Sequence, residues 1–303
     1  MNSPFAPHAS AAPEHTLPPH GLLFCAISKK QSKTMELGMT NPREAGIIAM
    51  TPHRGDGKPH AAPWRRLPRE KLEVFAMLLL LAILPAALLM GFVWRMDKIE
   101  KEPRGLLLKL FLFGALTTVS AIALGWLGTD LFLSLFVPGS LAYMLVDNFI
   151  VTALVEEGGK YFVLKKCTWK HPAFDYTFDA VVYAVTASLG FATLENTLYV
   201  FENGIGVAIV RALLSVPGHA IDAVYMGSYY GLAKLREREG DKRGKKHALR
   251  LALLVPVLMH GFYDFCLSSD SGLLYLAFLV FEVLITVAAF RRVRKLSRED
   301  QPV

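Results

Sequence analysis

LAYMLVDNFIVTALVEEGGKYFVL, residues Leu141–Leu164, is long and apolar enough to cross a bilayer, yet it carries Glu156 and Glu157 side by side. Each ionised side chain at membrane depth costs at least ~2.5 kcal/mol on insertion scales, so an adjacent pair needs a reason. Lys160 lies four residues after Glu156 and three after Glu157, which on a helix puts all three on one surface. Successive helical residues point ~100° apart, so one carboxylate can face a cavity while its neighbour pairs with the lysine. An ion pair that only pins helix packing accounts for one acid and leaves the other unexplained.

The rest of the chain reads as a scaffold around this stretch. Over 303 residues, 53% are hydrophobic, and the mean hydropathy is +0.35. The apolar residues gather in seven runs, near Leu72–Trp94, Gly105–Leu127, Leu141–Leu164, Phe178–Phe201, Ile205–Leu232, Ala248–Leu267 and Gly272–Phe290. Each reaches the ~20 residues that a helix needs to span ~30 Å of hydrocarbon. Continuous runs of this length satisfy their backbone groups as helices and not as barrel strands. The expected fold is all-α: a polytopic membrane bundle of about seven transmembrane helices, with the active site between helices. Cys25, Cys167 and Cys266 are three in number and far apart. Nothing in their spacing suggests a disulfide framework or a zinc–thiolate site.

The net charge of +7 sits in loops and tails, so it reads as a topology signal and as contact with the lipid bilayer, not as nucleic-acid binding. Basic residues follow the first, third, fifth and seventh runs. The connections 129–140, 202–204 and 268–271 contain no Lys or Arg. That alternation predicts a multi-pass membrane protein with a cytoplasmic C-terminus, with Ser269 outside and Ser297 inside. Residues 1–70, rich in Pro, Ala, His and Ser, are expected to be a disordered tail. Residues 71–295 form the membrane domain, and 296–303 a short cytoplasmic tail. Arg65, Arg66, Arg69 and Lys71 resist translocation of that N-terminal region. A re-entrant first segment turning at Pro85, translocation of the tail regardless, or a later start would relieve the conflict; Met50 and Met77 are candidate starts, and a start at Met77 removes it.

Three further runs carry chemistry. Phe191 and Glu195 lie at i, i+4 with Asn196 next to them, although Glu195 counts ~25 Å along its helix, nearer the outer surface than Glu156. His219 and Asp222 follow Pro217-Gly218, where the pair could simply satisfy each other. His260 has Asp264 one turn on, the arrangement that fixes an imidazole tautomer or holds an imidazolium. Ionisable groups at membrane depth are functional candidates by default. Asp147, Arg211 and Glu282 also fall within spans. Asp147 reads as lining an outer entrance, Arg211 as snorkelling to the outer surface, and Glu282 is unassigned.

Together these stretches resemble the PrsW-type glutamic intramembrane proteases, distant relatives of the CAAX-processing and bacteriocin-processing membrane endopeptidases. The likeness rests on Glu156-Glu157-x-x-Lys160, Phe191-x-x-x-Glu195, His219 and His260-x-x-x-Asp264 in order on successive spans, with Asp97-Lys-Ile-Glu-Lys-Glu-Pro103 as the charged first loop. It implies an endopeptidase that cuts a membrane-anchored protein substrate, such as an anti-sigma factor. Glu156, Glu157, Glu195, His219 and His260 would then be catalytic, with Lys160, Asn196, Asp222 and Asp264 supporting them. Glu156 would activate water with Glu195 as its partner, and the histidines would position water or donate to the oxyanion. The resemblance favours a site without cofactor. Zinc or another divalent metal on the same Glu and His residues is the alternative. A proton- or cation-coupled transporter, or a scaffold that only binds membrane partners, would use the same intramembrane groups differently. A transporter would be expected to show two related halves, and none is apparent in the sequence.

Overall fold

A computed structural model describes residues 69–303, and the expectations for the N-terminal tail and for a start at Met50 lie outside the described residues. The described chain is helical rods joined by short connections. The first two rods are α1 (Arg69–Met96) and α2 (Arg104–Leu131). The third is continuous but changes winding: α3 (Leu141–Leu145), the π-helix π1 (Val146–Ala153) and α4 (Leu154–Thr168). Next comes α5 (Asp179–Asn203). The fifth rod changes winding in the same way, through α6 (Ile205–Val210), the π-helix π2 (Arg211–Ser215) and α7 (Val216–Arg238). The last two are α8 (Lys242–Ser268) and α9 (Gly272–Arg298).

Seven rods match the seven apolar runs, and the all-α expectation holds. Among the described residues, five stretches are long and apolar enough to cross a membrane: Glu73–Met96, Arg104–Leu135, Ile205–Arg238, Lys242–Ser268 and Gly272–Arg298. The other two rods carry the acidic pair, Lys160 and Glu195, which lower their apolar character. The re-entrant turn at Pro85 is not formed, because α1 runs through that proline as one helix.

The bundle is built around α5. Every residue from Phe178 to Ala192 is buried, as expected of a helix without a polar stripe. Its side chains there are mostly small, and small residues let helices approach closely where water supplies no hydrophobic drive. Gly190 faces the Phe111 carbonyl of α2, and Gly114 of α2 faces the Ala187 carbonyl of α5. On the other side Gly227 and Gly231 of α7 meet the α5 backbone near Ala180 and the Thr177 carbonyl just before it. The outside of α1, α2 and α9 is apolar, with Leu80, Leu88, Leu108, Leu116, Leu273 and Val283 all exposed. Water would not tolerate such a surface, and a bilayer requires it.

Polar contacts gather at the end of the bundle where α5 begins. Tyr183 donates to Glu102 of the first loop and, at 2.8 Å, to the Ala173 carbonyl. Burial pushes the Glu102 carboxyl up to about 7, against the lowering hydrogen bond from Tyr183. Burial likewise raises Asp97 to about 6, with the Lys101 charge opposing it. The expected short tail is docked here and does not hang free. Asp300 Oδ1 accepts from Phe178 N at 2.8 Å and Thr177 Oγ1 at 2.9 Å, and Val303 N donates to the Asp175 carbonyl at 2.7 Å.

A Cβ added at Gly190 would overlap the backbone oxygen of Phe111, whereas one added at Gly91 of α1 meets nothing within 4 Å. Gly190→Ala is therefore expected to destabilise the detergent-solubilised protein by about 1–3 kcal/mol through forced separation of α2 and α5. Gly91→Ala should be neutral or slightly stabilising, as the helix propensity of alanine dictates. Thermal unfolding of both variants beside the parent checks the contrast.

Candidate active site

The residues singled out from four separate runs converge on one buried network. Lys160 on α4 is at its centre and fully enclosed, at 0% exposure. Its ammonium donates to Glu157 Oε1 at 2.6 Å and lies 3.0 Å from His219 Nδ1 on α7. Glu156 Oε2 is 3.6 Å away, and the Phe191 ring of α5 lies under the ammonium at 4.1 Å. An ammonium has only protons to offer, so His219 Nδ1 accepts and Nε2 carries the hydrogen. That Nε2 faces Glu195 Oε2 at 3.0 Å.

The network continues in both directions. Glu195 Oε2 also accepts from Arg211 Nη2 at 2.6 Å, while Arg211 Nε donates to Asn196 Oδ1 at 3.0 Å. At the other end Glu157 Oε1 faces His260 Nδ1 of α8 at 3.0 Å, and His260 Nε2 faces Asp264 Oδ2 at 3.2 Å and Glu156 Oε2 at 3.9 Å. Both nitrogens of His260 thus meet carboxylates and form hydrogen bonds only if both carry protons.

Within this network the two adjacent acids have different surroundings. Glu157 is fully buried and tied to Lys160 and His260. Glu156 lines a cavity of about 370 Å³, together with Glu195, His219, Asp222, His260 and Asp264. No hydrogen bond reaches its buried Oε2. The cavity extends from there past Asp147, Asn148 and Ser268 and past Glu202, toward the loops that lack Lys and Arg.

Several expectations change on this geometry. Glu195 is level with the acidic pair despite its count along α5, because Arg211, His219 and Lys160 link them directly. His219 does not pair with Asp222: its nitrogens are taken by Lys160 and Glu195, and Asp222 is buried at the cavity wall. Asn196 faces away from the chemistry, donating to the Ala82 carbonyl of α1 at 3.1 Å while it holds Arg211. Arg211 does not snorkel. It is 8% exposed and stacked 4.1 Å over the Tyr199 ring. Its place in the network was missed because its partner lies 16 residues earlier on another helix. Only the general rule that charges at membrane depth face the bundle interior would have flagged it.

Residues 102–290 match the model of a family described as PrsW family intramembrane metalloprotease. The chain belongs to the PrsW family of intramembrane proteases. Protease PrsW of Geobacillus kaustophilus is 34% identical over 220 residues, covering 73% of this chain and 92% of that protein. Protease PrsW of Bacillus subtilis is 35% identical over 201 residues, covering 66% and 87%, and that of Clostridioides difficile 31% over 237 residues, covering 77% and 95%. No solved structure matches the chain. As a PrsW-family protein it is a membrane-embedded peptidase acting on a protein substrate. The matched segment contains every one of the site residues above.

The tight Glu157–Lys160 contact makes a stability prediction. Removing one member of a buried ion pair strands the other and typically costs about 3–5 kcal/mol. Lys160→Met should therefore lower the amount of monodisperse protein recovered from membranes. Combining it with Glu157→Gln should restore much of that loss, as read by size-exclusion chromatography of a fluorescent fusion.

Proposed function

We propose that Glu156 is the general base of a metal-free endopeptidase that hydrolyses a peptide bond in a membrane-anchored protein. The observation that carries this reading is the isolation of Glu156 within the network. Arg211, Glu195, His219, Lys160, Glu157 and His260 are hydrogen-bonded in an unbroken chain that ends on the His260–Asp264 ion pair, whereas the buried Glu156 Oε2 accepts no hydrogen bond. A base must keep a lone pair free for the proton that it takes.

In this mechanism a water in the cavity attacks the scissile carbonyl carbon as Glu156 accepts its proton. The carbonyl π pair moves onto oxygen, and the doubly protonated His260 donates to that oxyanion. As the tetrahedral intermediate collapses, the C–N bond breaks and the proton held by Glu156 passes to the leaving amine. His219 is less suited to hold the oxyanion, since it is neutral and its only N–H is held by Glu195 at 3.0 Å, whereas His260 is cationic and its Nε2–H need only turn from Asp264 at 3.2 Å to reach the substrate. Glu195 carries two donors on one oxygen and acts as an anchor for His219 and not as a second base.

Glu156, Glu157, His219 and His260 can each bring one ligand atom within 4.8 Å of the others, and the family description names a metalloprotease. However, Lys160 stands among these donors, bonded to Glu157 and His219 and 3.6 Å from Glu156. Both His219 nitrogens are spent, and both His260 nitrogens face carboxylates. A dication there would meet a fixed ammonium and would have to displace the partners of the His219 and His260 nitrogens, so the set as arranged fits an internal cation and not a metal. Glu156→Gln should leave the protein folded and inserted while lowering cleavage by about 10²–10⁴-fold. The purified parent should contain no stoichiometric transition metal and should keep its activity in chelator. One metal per chain, with activity lost on chelation and restored on its return, would overturn the metal-free mechanism.

The reading also carries an orientation: a multi-pass protein of the inner membrane with the basic loops and C-terminus in the cytoplasm. The Ser269 and Ser297 hydroxyls are tucked against the Cys266 and Met96 carbonyls, so their exposed neighbours are better reporters. Asp270→Cys should react with an impermeant maleimide in intact cells, and Glu299→Cys only after permeabilisation. The reverse pattern would invert the topology.

A further inference from the structure

Hydrolysis at Glu156 leaves Asp147, Asp222 and Glu202 of the same cavity unused, and of these Asp147 has a buried oxygen that accepts no hydrogen bond from a described residue. Asp147 lies on π1, toward the loops without Lys and Arg, and lines the cavity. It is 7% exposed, its Oδ1 is fully buried, and no described residue donates a hydrogen bond to it. Asn148 beside it is spent on the Met144 carbonyl and on Ser268 Oγ, at 2.7 and 2.9 Å. The basic groups among the described cavity-lining residues are Arg211, His219 and His260, and each is already hydrogen-bonded to a carboxylate. An ionised carboxylate buried without a partner is expensive, and its cost falls when a cation arrives to pair with it.

The winding of the third rod turns Asp147 to this position. Nine residues separate it from Glu156, and at ~100° per residue a regular α-helix would put the two on opposite faces. The eight residues of π1 turn less per residue because each hydrogen bond spans one more position. Both carboxylates consequently line one cavity. Glycine at 261 leaves room for the Phe149 ring where the widened segment packs on α8.

Resting on the protease reading above, we propose that Asp147 forms a subsite for a lysine or arginine side chain of the substrate, displaced from the scissile bond toward the basic-poor loops. Nine helical residues rise ~13 Å, and an extended substrate advances ~3.3 Å per residue, so the cation sits about four residues from the cut. Asp264, whose Oδ2 holds His260, adds negative charge to the same wall and disfavours an acidic residue there.

The test separates binding from cleavage. An apolar peptide carrying a single Arg, and the same peptide with norleucine in its place, are titrated by fluorescence anisotropy against the full-length Glu156→Gln protein in nanodiscs. The Arg peptide should bind about tenfold more tightly or better. Adding Asp147→Asn, which keeps shape and removes charge, should bring the two peptides to within about twofold. Asp147→Lys should favour a Glu peptide instead. Equal binding of the Arg and norleucine peptides, or an Arg preference that survives Asp147→Asn, overturns the subsite. With the parent protein, moving the Arg along the peptide should move the cut with it, as read by mass spectrometry. A cut that stays put while the Arg moves also overturns it. An Asp147-dependent preference with no cleavage by the parent supports the subsite and counts against the Glu156 mechanism alone.

Discussion

An ammonium held without water is the constraint on which the bundle depends. Lys160 is fully buried, and taking a charge that size out of water carries a penalty of several kcal/mol even after relaxation. The molecule offsets it with a carboxylate three residues away, an imidazole nitrogen on α7, a second carboxylate at longer range and an aromatic face on α5. No single helix could supply that set. Satisfying Lys160 therefore fixes the relative position of α4, α5 and α7, and through Glu157 and His260 that of α8. The catalytic geometry and the packing of the core are one problem with one solution.

The alternation of charge along the network follows from the same constraint. Each buried charge must meet its opposite before it meets solvent, so Arg211, Glu195, Lys160 and Glu157 lie in sequence, with His219 as the neutral bridge. Only at the cavity does the alternation stop, at Glu156. On the proposed mechanism that carboxylate, 3.6 Å from the Lys160 ammonium and 3.9 Å from His260 Nε2 but hydrogen-bonded to neither, takes its proton from the water that enters. The same logic applies to Asp147 at the other end of the cavity, where the entering group would be a cation.

What the sequence disclosed and what it hid divide along the length scale of the contacts. Glu156, Glu157 and Lys160, and likewise His260 and Asp264, meet within a turn of one helix, so spacing alone announced them. The pairing of His219 with Glu195 and of Glu195 with Arg211 joins residues 24 and 16 positions apart on different rods, which periodicity cannot see. Asp222, three residues from His219, was the nearer and wrong partner. Both π segments were invisible as well, since no residue pattern marks a widened turn. Two of the three further intramembrane charges, Asp147 and Arg211, lie one in each segment.

The depth of Glu195 shows how the ends of the bundle serve its middle. Glu195 stands ~24 Å along α5 from Asp179, whereas Glu156 stands only ~18 Å from the end of α4 at Thr168. Two helices with their ends flush would hold these acids at different levels. The offset is taken up at the start of α5, where Asp300 caps the backbone at Phe178 and Tyr183 reaches Glu102 and the Ala173 carbonyl. Such polar contacts suit the end of a bundle outside hydrocarbon, and the later turns of α5 bring Glu195 within 3.0 Å of His219. Small residues along α5 then let α2 and α7 close on it. The charged first loop and the docked tail thus set the height of the helix that carries Glu195, and with it the distance across which His219 and Lys160 must reach.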